Sequence, residues 1–488
     1  MLKRSVLPVL FATLVIAAAA AQDAGPVVET SQRIIANIAE RSEVMTNLEY
    51  LTDLIGPRVT GSPRLEKANE WTAQRFRDYG LENVRLEPWP FGRRWTRGSA
   101  WARIVEPSDG LPLIVHSAGF APGTNGTVRG EVKYVPADTM AELGKHTGTL
   151  KGAILLLGEP ADVGRPPSWD PYSWERRVKE LQEQRQREKE NPDFNRRRNE
   201  FFLREGVGAI IRDSDKDWGL LNMGGIGGQD PAAPVLPTLY TTHENYLLLW
   251  RLIKRGRTVV ELGVENTFST QPVDAYNVVA ELRVTEKPDE IVLIGGHLDS
   301  WDLGTGATDN GVNCMIVLEA ARALKAVGAR PARTIRFALF NGEEQGLLGA
   351  KAYVTAHKEQ LTRHSAVLIM DIGQGPAVGI SLHGRDRLRP AMAAALAPLN
   401  DLGVRGVTLN YQGGTDHLPF LDEGVPAFAF HQDISEYVKS HHSESDTFDK
   451  VHPDVVKKNA AAMAVTAYNI AMMPSLFPRQ LLPAPPTP

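Results

Sequence analysis

Histidine and carboxylate side chains recur at the ends of apolar runs in the second half of this 488-residue chain. Ile291 to Gly295 leads into His297, Leu298 and Asp299, with Asp302 and Asp309 beyond. Thr334 to Phe340 ends at Glu343 and Glu344, Ala366 to Met370 ends at Asp371, and a late loop holds His441 and His442. A single Asp at a strand end is ordinarily a helix N-cap. Several such tips in one crevice crowd negative charge together, which is unfavourable unless cations neutralise it. Oxygen and nitrogen donors suit zinc first, with manganese or cobalt after it. The one cysteine, Cys314, builds neither a thiolate cluster nor an intrachain disulfide. It stands among Val312, Met315, Ile316 and Leu318 and reads as a small buried hydrophobe.

The spacing within these tips has physical content. Positions i and i+2 of a strand share a face, so Asp299 can accept a hydrogen bond from the His297 ring and fix its tautomer. Adjacent Glu343 and Glu344 cannot aim at one atom. One can hold a metal while the other serves as general base toward water.

The elements that must position these residues read as an α/β domain. From Ala275 to about Met473, near-continuous apolar runs alternate with helical stretches (Asn313 to Val327, Leu347 to His357, Arg389 to Leu399, Pro453 to Met473). That pattern predicts a mixed, mostly parallel sheet with helices on both faces, and ligands in such sheets bind beyond the carboxyl ends of the strands. Helical periodicity also runs from Glu29 to Ile55, enough for two helices, and from Leu65 to Tyr79, closing at Gly80. Between about 127 and 269 the texture turns to short strand-like runs separated by Gly and Pro, predicting an inserted β-rich domain. Its segment Trp174 to Arg198 mixes acids and bases evenly and reads as a solvated helix.

At the start, Lys3 and Arg4 precede an apolar run of about 16 residues, shorter than the ~20 of a spanning helix. Its Ala-rich end marks residues 1–21 as a secretory signal, so a secreted or periplasmic protein is expected, with no membrane span once the signal is cleaved. The domain scheme is then 22–126 with 270–476, the insertion 127–269, and a flexible proline-rich tail 477–488. Lys+Arg 54 against Asp+Glu 58 gives −4, which excludes the strong positive field that nucleic-acid binding needs.

His297-x-Asp299, Asp309-Asn310-Gly311, Asn341-Gly342-Glu343-Glu344, Asp371 and His442-x3-Asp446-Thr447 resemble the motifs of the M28 zinc metallopeptidases. Gly56-Pro57-Arg58-x2-Gly61-Ser62 and Gly413-Gly414-Thr415-Asp416-His417 are similar to further patterns of that family. The insertion, through Leu150 to Leu155 and Gly206 to Ile210, resembles a protease-associated (PA) domain. The resemblance implies two zinc ions, with Asp309 bridging them and His297, Glu344, Asp371 and His442 completing the shells. Which of His297 and His442 pairs with Asp371 stays open. Glu343 is the implied general base, and His441 a wall residue.

The implied activity is hydrolysis at the ends of short peptides or in dipeptides, with the direction, amino or carboxyl, open. Two alternatives share the architecture: a single-zinc glutaminyl cyclase, and a non-catalytic receptor-like binding protein. His417 and His431, in loops near the expected site, are candidate substrate-binding residues. Three roles stay open for the insertion: walling the cleft, setting access, or supporting self-association as a homodimer.

Overall fold

Four parallel strands form the centre of the first of two eight-stranded sheets: Arg333–Phe340, Lys287–His297, His364–Ile369 and Ala427–Gln432. The structure, a computed structural model, describes residues 8–164 and 170–482, with side chains from residue 25 onward. Antiparallel strands complete the sheet on one side (Thr267–Leu282, then Glu82–Thr96), and Ala377–Ser381 with Gly406–Thr408 on the other. Buried on both faces, the central strands need apolar side chains in both directions, which is why they read as unbroken apolar runs. Helices Val312–Ala326 and Pro453–Ala471 cover one face, and Leu348–Ala356 with Leu418–Asp422 the other. Helix Pro63–Asp78 starts where Ser62 Oγ accepts the Leu65 N–H at 3.2 Å, with Pro63 at the first helical position.

The second sheet is also mixed, with Val128–Tyr134, Ile154–Leu156, Ala209–Asp213 and Thr238–Thr241 parallel at its centre. It takes in Ala100–Glu106, Leu111–Leu113 and Val115–Ser117. This sheet therefore includes residues from Ala100 on, ahead of the boundary expected at 127: Ala100–Glu106 pairs with Val259–Val264 and with Leu111–Leu113, and Val115–Ser117 pairs with Thr238–Thr241. The charged segment forms two helices, Trp174–Glu190 and Phe194–Glu205, broken around Pro192. Its base is not simply solvated: Tyr172 and Tyr411 exchange backbone hydrogen bonds at 3.1 and 2.7 Å across to the first module.

Residues 1–7 of the expected signal lie outside the described residues, and Pro8–Arg41 is one helix. Among the described residues no helix is long and apolar enough to cross a membrane. The start of the expected flexible tail is pinned. Phe477 is buried and donates its N–H to Ser365 Oγ at 2.9 Å, and Arg479 donates to the carbonyls of Thr362 and His364. Residues 483–488 lie outside the described residues.

The modules meet through aromatic rings. Trp89, Phe91, Trp95, Phe120 and Trp301 form one buried cluster, with ring centroids 5.6 to 6.3 Å apart in tilted and edge contacts. Trp301 lies against Gly119 and Gly225, which form an isolated parallel bridge with each other. A Cβ on Gly119 would stand 2.2 Å from the Trp301 ring, so the seam closes only around a residue without a side chain. Gly119→Ala is expected to cost about 1–3 kcal/mol through overpacking, read as a lower denaturant midpoint.

Candidate metal centre and active site

The strands deliver their polar tips to one end of the first sheet. His297 is the last residue of its strand, in register with Phe340 of the neighbouring one. Asp371 follows strand His364–Ile369 by two residues. Glu343 and Glu344 follow Phe340 through Gly342, whose φ of +75° and approach to Trp89 exclude a side chain. Asp309 precedes helix Val312–Ala326, joined to Asn310 by a cis peptide bond.

His297 Nε2 lies 2.8 Å from Asp371 Oδ1 and 3.2 Å from Asp309 Oδ1. His442 Nε2 lies 3.1 Å from Asp309 Oδ2 and 3.0 Å from Glu344 Oε2. The open pairing is thereby resolved: His297 stands with Asp371, and His442 with Glu344. His441 stacks on His442 with centroids 3.7 Å apart, its Nε2 3.7 Å from Asp309 Oδ2.

Two donor groups can each surround a cation, His297–Asp309–Asp371 and Asp309–His441–His442, and Asp309 belongs to both. Asp309 Oδ2, Glu344 Oε1 and Asp371 Oδ1 are buried yet accept no aligned hydrogen bond. Carboxylate oxygens left this way are costly unless a cation meets them, so the residues fit divalent metal with nitrogen and oxygen donors. Cys314 donates to the His297 carbonyl at 2.8 Å and takes no part.

Protons compete for the same charge. Burial lowers the His442 pKa, but Glu344 and Asp309 outweigh it and push the value up to about 10. Burial raises Glu344 to about 7 against the pull of His442. Glu343 is held well above the usual carboxylate range, first by burial and then by the charges of Asp371, Glu344 and Asp416.

Asp299 has a different partner set from the expected one. The His297 Nδ1 contact at hydrogen-bond distance is the Asp299 backbone carbonyl, 3.0 Å away, while the carboxylate stands at 3.5 Å. That carboxylate accepts instead from Thr60 Oγ1 (2.8 Å) and the backbone N–H groups of Glu343 (3.3 Å) and Glu344 (3.4 Å). It therefore steadies the ring through its main chain and the Glu343–Glu344 turn through its side chain.

Supports that the spacing did not single out lie beneath. Asp446 accepts from Thr308 N–H (2.5 Å), Thr308 Oγ1 (2.8 Å) and Asp309 N–H (3.2 Å), which fixes the segment presenting Asp309. Arg58, wholly buried, donates to the carbonyls of Leu298, Gly56, Thr305 and Gly306. Both lie in motifs visible in the sequence, but only the fold shows what they hold.

A cavity of about 480 Å³ opens over the cluster, lined among others by Glu343, Gly414, Tyr437 and His441, which is room for a short peptide. Neither His417 nor His431 lines it. His417 is fully buried with its ring 4.9 Å from His383, and His431 lies half-buried on strand Ala427–Gln432, facing Asp433 and Asp170.

The sequence profile of Peptidase family M28 matches residues 277–467. Carboxypeptidase Q of Mus musculus is 32% identical over 435 residues, covering 88% of this chain and 86% of that protein. The chain belongs to peptidase family M28. It is accordingly a metallopeptidase acting on peptides. Among solved structures, a Peptidase M28 precursor from Shewanella amazonensis SB2B aligns with a TM-score of 0.77 at 27% identity, covering 94% of this chain and 99% of that one. A zinc aminopeptidase from Bacillus subtilis shares the fold at 19% identity, with a TM-score of 0.61 over 87% of this chain and 93% of that one.

In this M28 peptidase, Asp446→Asn replaces one accepting oxygen with a donor facing N–H groups. Metal affinity is expected to fall about 10- to 100-fold, as for other outer partners of metal-binding residues, measured by competition with a chelator.

Proposed function

We propose that this chain is an exported exopeptidase with two zinc ions, hydrolysing peptide bonds at the ends of short peptides or in dipeptides. The observation that carries the reading is the pair of donor groups sharing Asp309. His297 and Asp371 would hold one ion with Asp309, and His442 and Glu344 the other. The likeness to carboxypeptidase Q and to a zinc aminopeptidase supports peptide ends as substrate and zinc as metal. Residues 1–21 serve export in this reading, and the second sheet is a PA-type module.

When bound, zinc supplies Lewis acidity toward a carbonyl oxygen and toward water. The remaining work belongs to the chain. Glu343 stands at the cavity with its backbone anchored on Asp299, while Glu344 Oε2 lies 3.0 Å from His442 Nε2. It takes a proton from the attacking water and returns it to the departing amine. Asp299 holds Glu343 in place, and burial around the cluster strengthens each charge interaction by excluding water.

Glu343→Gln is expected to lower kcat by about 10²- to 10⁴-fold while bound zinc is retained. Metal analysis should give two ions per chain, and chelation should abolish release from aminoacyl anilides or dipeptides until zinc is restored. Near-normal turnover by the variant overturns the base assignment. One ion with cyclisation of N-terminal glutamine returns the cyclase alternative.

A further inference from the structure

The second module grips the first beside a wall of the cavity. That wall includes Gly414, in the loop that joins strand Gly406–Thr408 to helix Leu418–Asp422. At the outer end of the loop, Tyr172 N–H donates to the Tyr411 carbonyl at 3.1 Å and Tyr411 N–H to the Tyr172 carbonyl at 2.7 Å. Ser173 then caps helix Trp174–Glu190, its Oγ accepting the Arg176 N–H at 3.3 Å, so Trp174 and Arg177, three apart, share one helix face. Both lie on the Tyr411 ring. The Trp174 and Tyr411 centroids are 6.2 Å apart, and the Arg177 guanidinium lies 4.5 Å from the centre of the Tyr411 ring. The Tyr172 ring meets that ring edge-on at 5.6 Å.

Tyr411 also packs back on its own loop. A Cβ on Gly413 would stand 2.9 Å from the Tyr411 ring, and the His383 ring meets Tyr411 edge-on at 5.3 Å. His383 in turn lies 4.9 Å from His417, which is fully buried at the inner end of the loop. Between these anchors stand Gly413 and Gly414, the latter with a φ of +74°. Glycine has more backbone freedom to lose than any other residue, so a wall built from two in succession keeps one conformation only through what grips its ends. Neither Trp174 nor Arg177 lines the cavity, and their contact with it runs through Tyr411.

We propose that Tyr411 is a positioning residue through which the second module orders the Gly413–Gly414 wall in advance and so sets the affinity for substrate. The inference rests on the cavity being the peptide site of the reading above, and it gives the second module a part in binding there. With the Tyr411 ring clasped, the wall is in place before a peptide enters. With the clasp removed, the cost of ordering the two glycines falls on binding instead. The donor groups and Glu343 stand on other loops of the first module, so the chemical step that follows binding keeps its rate.

The test uses the zinc-loaded full chain with a dipeptide and an aminoacyl anilide. Trp174→Ala combined with Arg177→Ala leaves every cavity residue in place. It should raise KM for the cleaved substrate about tenfold, the factor that about 1.4 kcal/mol supplies, with kcat and zinc content unchanged. Amide hydrogen exchange across residues 409–417 should quicken in the same variant. Trp174→Phe with Arg177→Lys should restore most of the affinity. Tyr411→Leu should raise KM at least as far, and in its background the two alanine changes should add nothing, because the ring they act through is gone. Unchanged KM, unchanged exchange, loss of kcat or zinc in place of affinity, or full additivity with Tyr411→Leu each overturns the positioning role while leaving the peptidase reading intact. Failure of the wild type to cleave either substrate overturns both.

Discussion

Buried negative charge is the constraint that organises this molecule. Asp299, Asp309, Asp371 and Asp446 are each almost wholly buried, with Glu343 and Glu344 beside them. No such cluster is stable in a low-dielectric interior by packing alone. Three kinds of compensation are built around it. Backbone N–H groups of Thr308, Asp309, Glu343 and Glu344 point at Asp446 and Asp299. The guanidinium of Arg58 lies underneath, its charge felt by Asp446, Asp299 and Asp309. The third is the pair of imidazoles, His297 and His442, each placed between two carboxylates. What these meet only in part, the oxygens of Asp309, Glu344 and Asp371 that accept no aligned hydrogen bond, is the charge a divalent cation would neutralise.

The same constraint explains why the two modules are joined so firmly at the site. His442 has a φ of +52°, a left-handed conformation that costs a non-glycine residue roughly 1–2 kcal/mol. Such strain persists only where the surroundings over-determine it. Here Met223 N–H holds its carbonyl from the second module, and the Trp301 ring lies 6.3 Å away in an edge contact. Trp301 in turn is wedged against Gly119 and Gly225 of that module. A change in how the modules pack would therefore reach His442 through two contacts, one hydrogen-bonded and one aromatic.

Much of this arrangement is legible in the sequence because the central strands are buried on both faces and end in polar tips. Apolar runs such as Ile291 to Gly295 can be little else, and their ends name the residues that meet. What stayed hidden depends on three-dimensional register. The pairing of His297 with Asp371 follows from adjacent parallel strands, Lys287–His297 beside His364–Ile369, which no spacing in the chain encodes. Asp299 kept its expected position but not its expected bond, since the i, i+2 rule fixes a face and says nothing about the loop that arrives opposite it, here Glu343–Glu344. The second sheet takes in strands ahead of the expected boundary at 127, and strands as short as Leu111–Leu113 and Val115–Ser117 carry almost no periodic signal. Leu111–Leu113 joins the sheet through its neighbour Ala100–Glu106, and Val115–Ser117 through Thr238–Thr241, more than a hundred residues away.

Adjacent Glu343 and Glu344 show how one anchor can serve two duties. Both backbone N–H groups bind the Asp299 carboxylate, one on each oxygen, so the turn is fixed as a unit. Successive side chains leaving such a turn diverge. Glu344 is drawn to His442 at 3.0 Å, within the donor cluster, and its side chain is 3% exposed. Glu343 has no such partner and faces the cavity. In the proposed mechanism that divergence is required: a carboxylate already shared with a cation is a poor base, because the cation stabilises the very charge a proton would remove. The separation of roles is thus a consequence of geometry at one turn, and Asp299, which touches neither substrate nor cation in this account, is what maintains it.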